Sequence, residues 1–169
     1  MSKILEKWSK VVYSGITVII DWGSIFMFMS KYFNSIDAKN RMIVPSKYRD
    51  ELGYKCVLTK GIDQCLYVYP MNEWERFMKK LAALPSSDAN ARAFVRHFYA
   101  NAVECEMDRQ GRVTIPQELS DLAGIDRDLV TVGILDKIEV WSREVWDDAK
   151  EGPQLAPADF AQKMAEYGI

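Results

Sequence analysis

Apolar and polar positions alternate with the period of β-strands in two separate blocks of this chain. The alternation in the first block predicts strands at 32–36, 41–44, 56–59 and 65–69. The second block predicts strands at 103–107, 112–115, 130–134 and 138–141. Each block also predicts one short helix, at 45–52 and 116–122, because Pro opens each segment and Gly follows it.

The two blocks share a nine-residue pattern that begins with Asp, has Arg four residues later and ends in Pro. The pattern occupies residues 37–45 and 108–116, an offset of 71 residues. Trp74 and Trp146, each near the start of the following helix, correspond at an offset of 72. This agreement argues against chance similarity, and two copies indicate a gene duplication with a pseudo-twofold arrangement, not a solenoid.

Helical periodicity replaces the alternation between the two blocks. Apolar residues at 74, 77, 78 and 81 predict a helix capped by Asn72, and Ser86 or Ser87 is predicted to open a second helix. We therefore expect a mainly β fold with helices, of the α+β class. Its predicted parts are a first domain at 31–75, connecting helices at 76–101, a second domain at 102–146 and a mobile tail at 147–169 with a helix around 159–167.

Residues 1–28 have no counterpart in the second block. Their apolar run follows three lysines, as in a signal peptide, but polar residues interrupt it and no small-x-small cleavage site follows. Met27 and Met29 directly precede the first repeat. We interpret residues 1–28 as a mis-annotated start, and a disordered N-terminal extension is the alternative.

The Asp-to-Arg turns carry the candidate chemistry. Asp accepts hydrogen bonds from nearby backbone N–H groups, and Asn and Gly tolerate the left-handed conformation. Four residues are therefore predicted to shape the two turns: Asp37, Asn40, Asp108 and Gly111. Lys39 and Arg41 are cations of the kind that neutralise phosphates and reach guanine edges. The residue types are equally compatible with an Arg41 that only pairs with Asp37, so both interpretations of Arg41 stay open.

Charge is distributed unequally between the two repeats. The whole chain has a net charge of −2 and a pI of about 5.5, which argues against a protein that coats nucleic acid indiscriminately. Residues 31–60 carry seven basic and three acidic residues, whereas residues 102–131 carry three basic and seven acidic residues. The first repeat is therefore predicted to face an anion, and the acids of the second indicate a solvated face or a contact between subunits.

Enzymatic and metal-binding functions find no support in the sequence. Cys56, Cys65 and Cys105 form no CxxC pair and are predicted to be structural thiols in a reducing, cytosolic setting. His97 is the single histidine, and phosphate-binding glycine loops, HExxH and GxSxG are absent. We predict no catalytic residue, no metal site and no cofactor, and no run of 18 apolar residues predicts a membrane span.

Four segments carry a specific resemblance to a known family: DAKNRMIVPSKYRDEL, CLYVYPMNEWE, ARAFVRHFYANAVECEMDRQGRVTIPQEL and AGI with VTVGILDKIEVWSREVW. They resemble MraZ, a family of bacterial transcriptional regulators with two SpoVT–AbrB-type domains, over about residues 27–147. Asn40 departs from the pattern, because the family usually has Gly there, as the second copy has at Gly111. Asn also adopts a left-handed φ, so the turn is expected to survive.

The resemblance implies two swapped-hairpin AbrB-like β-barrel domains, a ring-shaped homo-oligomer and binding of double-stranded DNA through the turns. Carried over by position, the DNA contacts are Lys39 and Arg41, and more weakly Arg109 and Arg112. It further implies a regulator in the cytoplasm and nucleoid that binds direct repeats in its own promoter and controls a division and cell-wall gene cluster. The competing hypothesis is an oligomeric protein-interaction scaffold whose DNA contact is incidental.

The resemblance also implies that the promoter repeats bound by the protein are of the TGGG type, and this gives the N-terminal segment a further interpretation. Trp is always encoded by TGG, so Trp22-Gly23 must be encoded by TGG-GGN, and Trp8 adds another TGG upstream. We hypothesise that residues 1–26 are a translated operator, which the nucleotide sequence of the gene would test.

Overall fold

The computed structural model describes residues 8–13, 16–21 and 28–151 of this 169-residue chain. Ten strands lie within these residues: β1 Trp8–Tyr13, β2 Ile16–Asp21, β3 Lys31–Ser35, β4 Arg41–Ile43, β5 Lys55–Lys60, β6 Cys65–Pro70, β7 Val103–Glu106, β8 Arg112–Thr114, β9 Asp128–Ile134 and β10 Lys137–Ser142. The same residues contain five helices: α1 Ser46–Leu52, α2 Met71–Ala82, α3 Ala89–Tyr99, α4 Gln117–Ala123 and α5 Arg143–Glu151.

The two sequence repeats share one six-stranded sheet. Its strand order is β3-β9-β10-β6-β5-β7, and every neighbouring pair is antiparallel. Strands β3 to β6 belong to the first repeat and β7 to β10 to the second. Replacing each strand by its counterpart reverses this order onto itself, so a pseudo-twofold axis passes between β6 and β10. Each repeat therefore completes the sheet of the other.

A second, two-stranded ribbon crosses between the repeats and joins the two turns. Strand β4 pairs antiparallel with β8, and Met42 lies opposite Val113. Both of these side chains are buried, as expected for the inward face of a ribbon that covers a core. Val44 N donates to the Gly111 carbonyl at 2.8 Å, and Ile115 N donates to the Asn40 carbonyl at 2.8 Å. These reciprocal bonds tie each turn to the strand that follows the other turn.

The sheet is buried on both faces because its strands alternate between two apolar cores. On β6, Leu66 and Val68 belong to the core beneath the ribbon, α1 and α4. Cys65, Tyr67 and Tyr69 face the other core, which α2 and α3 cover through Trp74, Leu81 and Phe98. This strict alternation is the period-2 pattern of a strand. The ribbon and its turns consequently rest on a rigid platform.

The secondary structure agrees closely with the sequence prediction. All eight predicted strands of the two repeats are present, and α1 and α4 end before Gly53 and Gly124 as expected. The predicted mixed α+β class is confirmed. The strands described form an open sheet with β3 and β7 at its edges, so the swapped-hairpin β-barrel arrangement stays a prediction.

The two predicted helix caps between the repeats are wrong. Helix α2 begins at Met71, after Pro70, so Asn72 lies inside the first turn and its side chain hydrogen-bonds Glu73. Pro70 takes the cap position because its fixed φ suits the entry to a helix. Helix α3 is capped by Asp88, whose carboxylate accepts from the N–H groups of Asn90 and Ala91, and not by Ser86 or Ser87. Asp and Ser are both good caps, so the sequence pattern left this boundary ambiguous.

Several predictions fall wholly or partly outside the described residues. The predicted helix around 159–167 lies outside them, and of the predicted tail only residues 147–151 are described, as the end of α5. Within residues 1–28, β1 pairs with β2, and Phe28 is buried and bridges to Leu135. The mis-start, the tail mobility and the domain boundaries at 31–75, 76–101 and 102–146 stay predictions. In the part of the chain that is described, no helix is long and apolar enough to cross a membrane.

Candidate nucleic-acid interface

The first turn is closed by a carboxylate that binds both backbone and side chain. Asp37 Oδ1 accepts from the N–H groups of Lys39 at 2.9 Å and Arg41 at 3.1 Å. Asp37 Oδ2 accepts from Arg41 Nε at 2.8 Å and lies 2.6 Å from Nη2 of the same guanidinium. The backbone bonds Asp37 N to Arg41 O and Asn40 N to Asp37 O complete the turn. The short Asp side chain thus reaches the N–H groups two and four residues on through one oxygen and the Arg guanidinium through the other.

The second turn repeats this arrangement. Asp108 Oδ1 accepts from the N–H groups of Gln110 and Arg112, each at 2.9 Å. Asp108 Oδ2 accepts from Arg112 Nε at 2.8 Å and lies 2.8 Å from Nη2. Gly111 N donates to the Asp108 carbonyl at 2.9 Å, as Asn40 N does in the first turn. Asp37 and Asp108 thus make the same set of hydrogen bonds within their turns.

These contacts shift the titration of both carboxyl groups in the same direction. The hydrogen bond from the Arg41 side chain is the largest cause that lowers the pKa of Asp37 to about 2. For Asp108 the largest cause is the hydrogen bond from the Arg112 backbone N–H, and its pKa is also lowered. Both carboxylates are therefore fully charged at neutral pH and hold their arginines in place.

The paired arginines retain part of their hydrogen-bonding capacity. Arg41 and Arg112 bind their carboxylates through Nε and Nη2, and their side chains are 26% and 23% exposed. Arg112 Nη1 lies 3.8 Å from Asp37 Oδ2, so it bridges towards the first turn. Among the described residues Arg41 Nη1 has no hydrogen-bond partner. The pairing and the ligand-binding interpretations of Arg41 are therefore compatible with each other.

The loop tips display one further cation each. Lys39 and Arg109 are exposed, and their side chains form no hydrogen bond or ion pair with the residues that the structure describes. They are not equivalent positions, because Lys39 corresponds to Gln110 and Arg109 corresponds to Ala38 at the offset of 71. With Arg41 and Arg112 balanced by the two aspartates, Lys39 and Arg109 give the turn pair its net positive charge.

The left-handed residues of the two turns are supported by different side chains. Asn40 has φ 59° and Gly111 has φ 76°, so the predicted left-handed conformation is present in both turns. The Asn40 amide donates to the Ile115 carbonyl at 2.9 Å and to Ser120 Oγ at 2.8 Å. Gly111 has no side chain, and the Arg49 guanidinium occupies the space above it.

Arg49 and Ser120 are site residues that the sequence prediction did not include. They occupy corresponding positions on α1 and α4, at the same offset of 71 residues. Each lies against the turn of the other repeat, because β4 and β8 cross between the repeats. The offset identifies them as a pair, but only the crossed ribbon shows which turn each one contacts.

The opposite charges of the two repeats are partly neutralised within the chain. Lys55 on β5 lies 3.0 Å from Glu104 and 3.6 Å from Glu106 on the neighbouring β7. The Tyr54 hydroxyl donates to Glu106 at 2.9 Å. Two acids of the second repeat therefore face a cation of the first. Charge counted by repeat does not describe the charge of either turn.

The cysteines are divided between the two cores: Cys65 lies in the core under α2 and α3, whereas Cys56 and Cys105 pack in the core under the ribbon. Cys56 and Cys65 are buried, and burial raises the pKa of the Cys56 thiol to about 12. His97 on α3 is half-buried, and its Nε2 lies 2.8 Å from the Gly61 carbonyl and can donate to it.

Comparisons with known proteins identify the family. The family model described as "MraZ protein, putative antitoxin-like" matches residues 27–97 and again residues 98–166. A Carboxydothermus hydrogenoformans protein named "Transcriptional regulator MraZ" is 45% identical over 141 residues, 83% of this chain and 99% of that protein. Proteins of the same name from Clostridium tetani and Moorella thermoacetica are 47% and 45% identical over 143 residues, 85% of this chain and 100% of each relative.

Proposed function

This chain belongs to the MraZ family, and we propose that it regulates transcription by binding double-stranded DNA through its two Asp-to-Arg turns. The observation that carries this proposal is the crossed ribbon, which brings the turns of both repeats onto one surface. That surface displays two cations without described protein partners, Lys39 and Arg109. Phosphate groups are the ligands that such exposed cations bind on DNA.

Each turn residue has a distinct proposed role. Lys39 and Arg109 bind backbone phosphates and set the position of the protein on the duplex. Arg41 and Arg112 present guanidinium edges whose orientation is fixed by Asp37 and Asp108. A planar donor group held in one orientation suits a bidentate contact to a guanine edge better than a freely rotating cation does.

The rigidity of the platform supports this assignment. The side chains beneath the turns, Met42 and Val113, are buried, and the sheet below them is packed on both faces. A recognition group has to be held within a fraction of an ångström, so it benefits from a rigid element behind it. The two turns therefore move as one unit against the DNA.

We further propose that the chain forms a ring-shaped homo-oligomer that binds direct repeats in its own promoter and controls a division and cell-wall gene cluster. Two turns alone make few phosphate contacts, and salt screens each of them. Several subunits on neighbouring repeats would bind through effective concentration, without a strong single site. Regulation of this kind takes place on the nucleoid, in the cytoplasm.

The test is a binding measurement by fluorescence anisotropy with DNA from upstream of the chain's own gene. A shuffled fragment of the same base composition is the reference. We expect tight, salt-dependent binding of the upstream fragment, and we expect Arg41→Ala to weaken it by roughly 10- to 100-fold while light scattering shows an unchanged assembly.

The matched control is Lys79→Ala, which removes one exposed cation from α2 on the opposite side of the sheet. It should bind as the unmodified chain does. Equal binding of both fragments with little salt dependence would instead favour a protein-interaction scaffold. An Arg41→Ala variant that binds as tightly as the unmodified chain would exclude Arg41 as a DNA contact.

A further inference from the structure

In each turn a different pair of residues fills the space beside the left-handed residue. Each turn contains one left-handed residue that faces a side chain from the helix of the other repeat. In the first turn the pair is Asn40 with Ser120, a larger residue in the turn and a small one on α4. In the second the pair is Gly111 with Arg49, no side chain in the turn and a large one on α1.

Both pairs deliver a donor to the same backbone position. The Asn40 amide donates to the Ile115 carbonyl at 2.9 Å, and Arg49 Nε donates to the Val44 carbonyl at 2.9 Å. Ile115 and Val44 are equivalent at the offset of 71 residues. Arg49 Nε thus replaces the amide that Gly111 lacks. The substituted donor comes from the opposite repeat.

A side chain at position 111 would displace the Arg49 guanidinium, the movable end of a flexible side chain, from its observed position. A Cβ atom added to Gly111 would overlap the Arg49 guanidinium, with Nη1 2.8 Å away and the central atoms closer still. Removing the Arg49 side chain alone would leave the Val44 carbonyl without its side-chain donor and open the space above the turn. Only a matched pair fills this space and supplies the donor.

We propose that Arg49 is the positioning residue of the second turn, and that this first-repeat side chain holds the Asp108–Arg112 turn in the conformation that contacts DNA. The proposal rests on the proposed function of the turns. Asn40 together with Ser120 performs the same task for the first turn. The first turn is therefore bonded across the repeat boundary by Asn40, and the second turn is packed across it against Arg49, whose own hydrogen bond is to Val44 of the first repeat. Each turn thus depends on the other repeat for its support.

The test exchanges one pair for the other in the full-length protein. Arg49→Ser opens the space above Gly111, Gly111→Asn fills it against Arg49, and the double variant rebuilds the pair of the first turn. Asn tolerates the left-handed conformation, so the double variant adds no backbone conflict. The matched control is Lys47→Ser, which removes an exposed cation from the same helix.

Two readouts are measured on all variants. Hydrogen–deuterium exchange of the segment 108–112 reports the order of the turn without DNA, and anisotropy titrations over a range of salt report binding. We expect each single variant to exchange faster and bind upstream DNA at least about 10-fold more weakly, since Arg49→Ser removes the charge-assisted bond to the Val44 carbonyl and Gly111→Asn displaces the guanidinium that makes it. We expect the double variant to return within about threefold of the unmodified chain, both in the exchange rate of the segment 108–112 and in the DNA affinity. The control Lys47→Ser should change neither the exchange of this segment nor the part of the DNA affinity that comes from the second turn.

The salt dependence separates positioning from direct contact. If Arg49 contacted a phosphate, its loss would reduce the magnitude of the slope of log K against log salt by about 0.9. The reduction would be the same in Arg49→Ser and in the double variant, because Gly111→Asn does not restore the charge. That result overturns the proposal, as does an Arg49→Ser variant with unchanged exchange or unchanged DNA affinity. If the unmodified chain binds no DNA, the proposed function fails, and the exchange measurement alone then decides whether the two pairs are interchangeable.

Discussion

The two turns have the same backbone and the same Asp–Arg pair, but they differ in their tips and in the side chains that support them. The first turn has Lys39 at its tip, and its left-handed residue, Asn40, is held by hydrogen bonds from its own side-chain amide. The second has Arg109 at its tip and relies on Arg49 from the first repeat. The two turns therefore share the hydrogen-bonded Asp–Arg pair, which has the same geometry in both. They differ in the position of the cation at the tip and in the residue that packs against the left-handed position.

The largest expected difference from the unmodified chain comes from removing either arginine of the Asp–Arg pairs. Because the pairs are equivalent, we expect Arg41→Ala and Arg112→Ala each to weaken binding of upstream DNA by roughly 10- to 100-fold, the range of a lost bidentate contact. Anisotropy titrations of both variants under the same salt conditions measure this. A large loss for Arg41→Ala with no loss for Arg112→Ala would show that only the first turn binds DNA.

The carboxyl groups provide a second test, with an effect on acid titration. Asp37 has a pKa lowered from 3.8 to about 2, so the stability that it contributes is complete above pH 3.8 and is lost as the pH falls towards 2. Arg41→Ala removes the largest cause and should raise the Asp37 pKa towards 3.8. For Asp108 the largest cause is a backbone N–H that Arg112→Ala retains, so its pKa should rise less.

Carbon-detected NMR titration of the two carboxyl groups measures both values. Equal shifts in the two variants would contradict this difference between the turns. An Asp37 pKa that stays near 2 in Arg41→Ala would show that backbone N–H groups alone hold the first carboxylate.

The smallest expected effect concerns the support of the first turn. Asn40→Gly removes the donor to the Ile115 carbonyl and to Ser120 but suits the left-handed φ, so the free energy of unfolding should fall by about 1 kcal/mol. Asn40→Asp is the matched variant, because it keeps the shape but places a carboxylate against a carbonyl oxygen. It should destabilise more than Asn40→Gly in a denaturant titration, and the reverse order would contradict the assigned role of the amide.

Local sequence patterns predicted nearly all of the secondary structure, because the alternation of strands and the Pro and Gly at helix ends act over a few residues. The turn residues Asp37 and Asp108 were predictable for the same reason. Arg49 and Ser120 were not, because their partners lie in the other repeat and depend on the crossed pairing of β4 and β8. The cap at Asp88 was missed because Asp and Ser cap helices about equally well, and the start of α2 was missed because Pro70, two residues before Asn72, already fits the entry to a helix.

The unequal charge of the two repeats shows the same limit. A count along the sequence assigns cations to the first repeat and acids to the second, and it predicts that the second repeat, apart from its turn, is a poor anion site. In the fold, Lys55 pairs with acids of the second repeat, and Arg49 lies over the second turn. Because strands of the two repeats are interleaved in one sheet, a charged residue can lie next to residues of the other repeat. The charge of a surface can therefore be counted only after the strand pairing is known.

The central claim, that both turns contact DNA at once, is tested most directly by the salt dependence of binding in tip variants. The slope of log K against log salt is measured on upstream DNA for the unmodified chain, Lys39→Ala, Arg109→Ala, the double variant and the control Lys79→Ala. The slope is negative, and we predict that each tip variant reduces its magnitude by about 0.9 for every subunit that contacts the DNA. The double variant should reduce the magnitude by the sum of the two effects, and Lys79→Ala should leave the slope unchanged. An Arg109→Ala slope equal to that of the unmodified chain would contradict the claim and leave the first turn as the sole DNA contact.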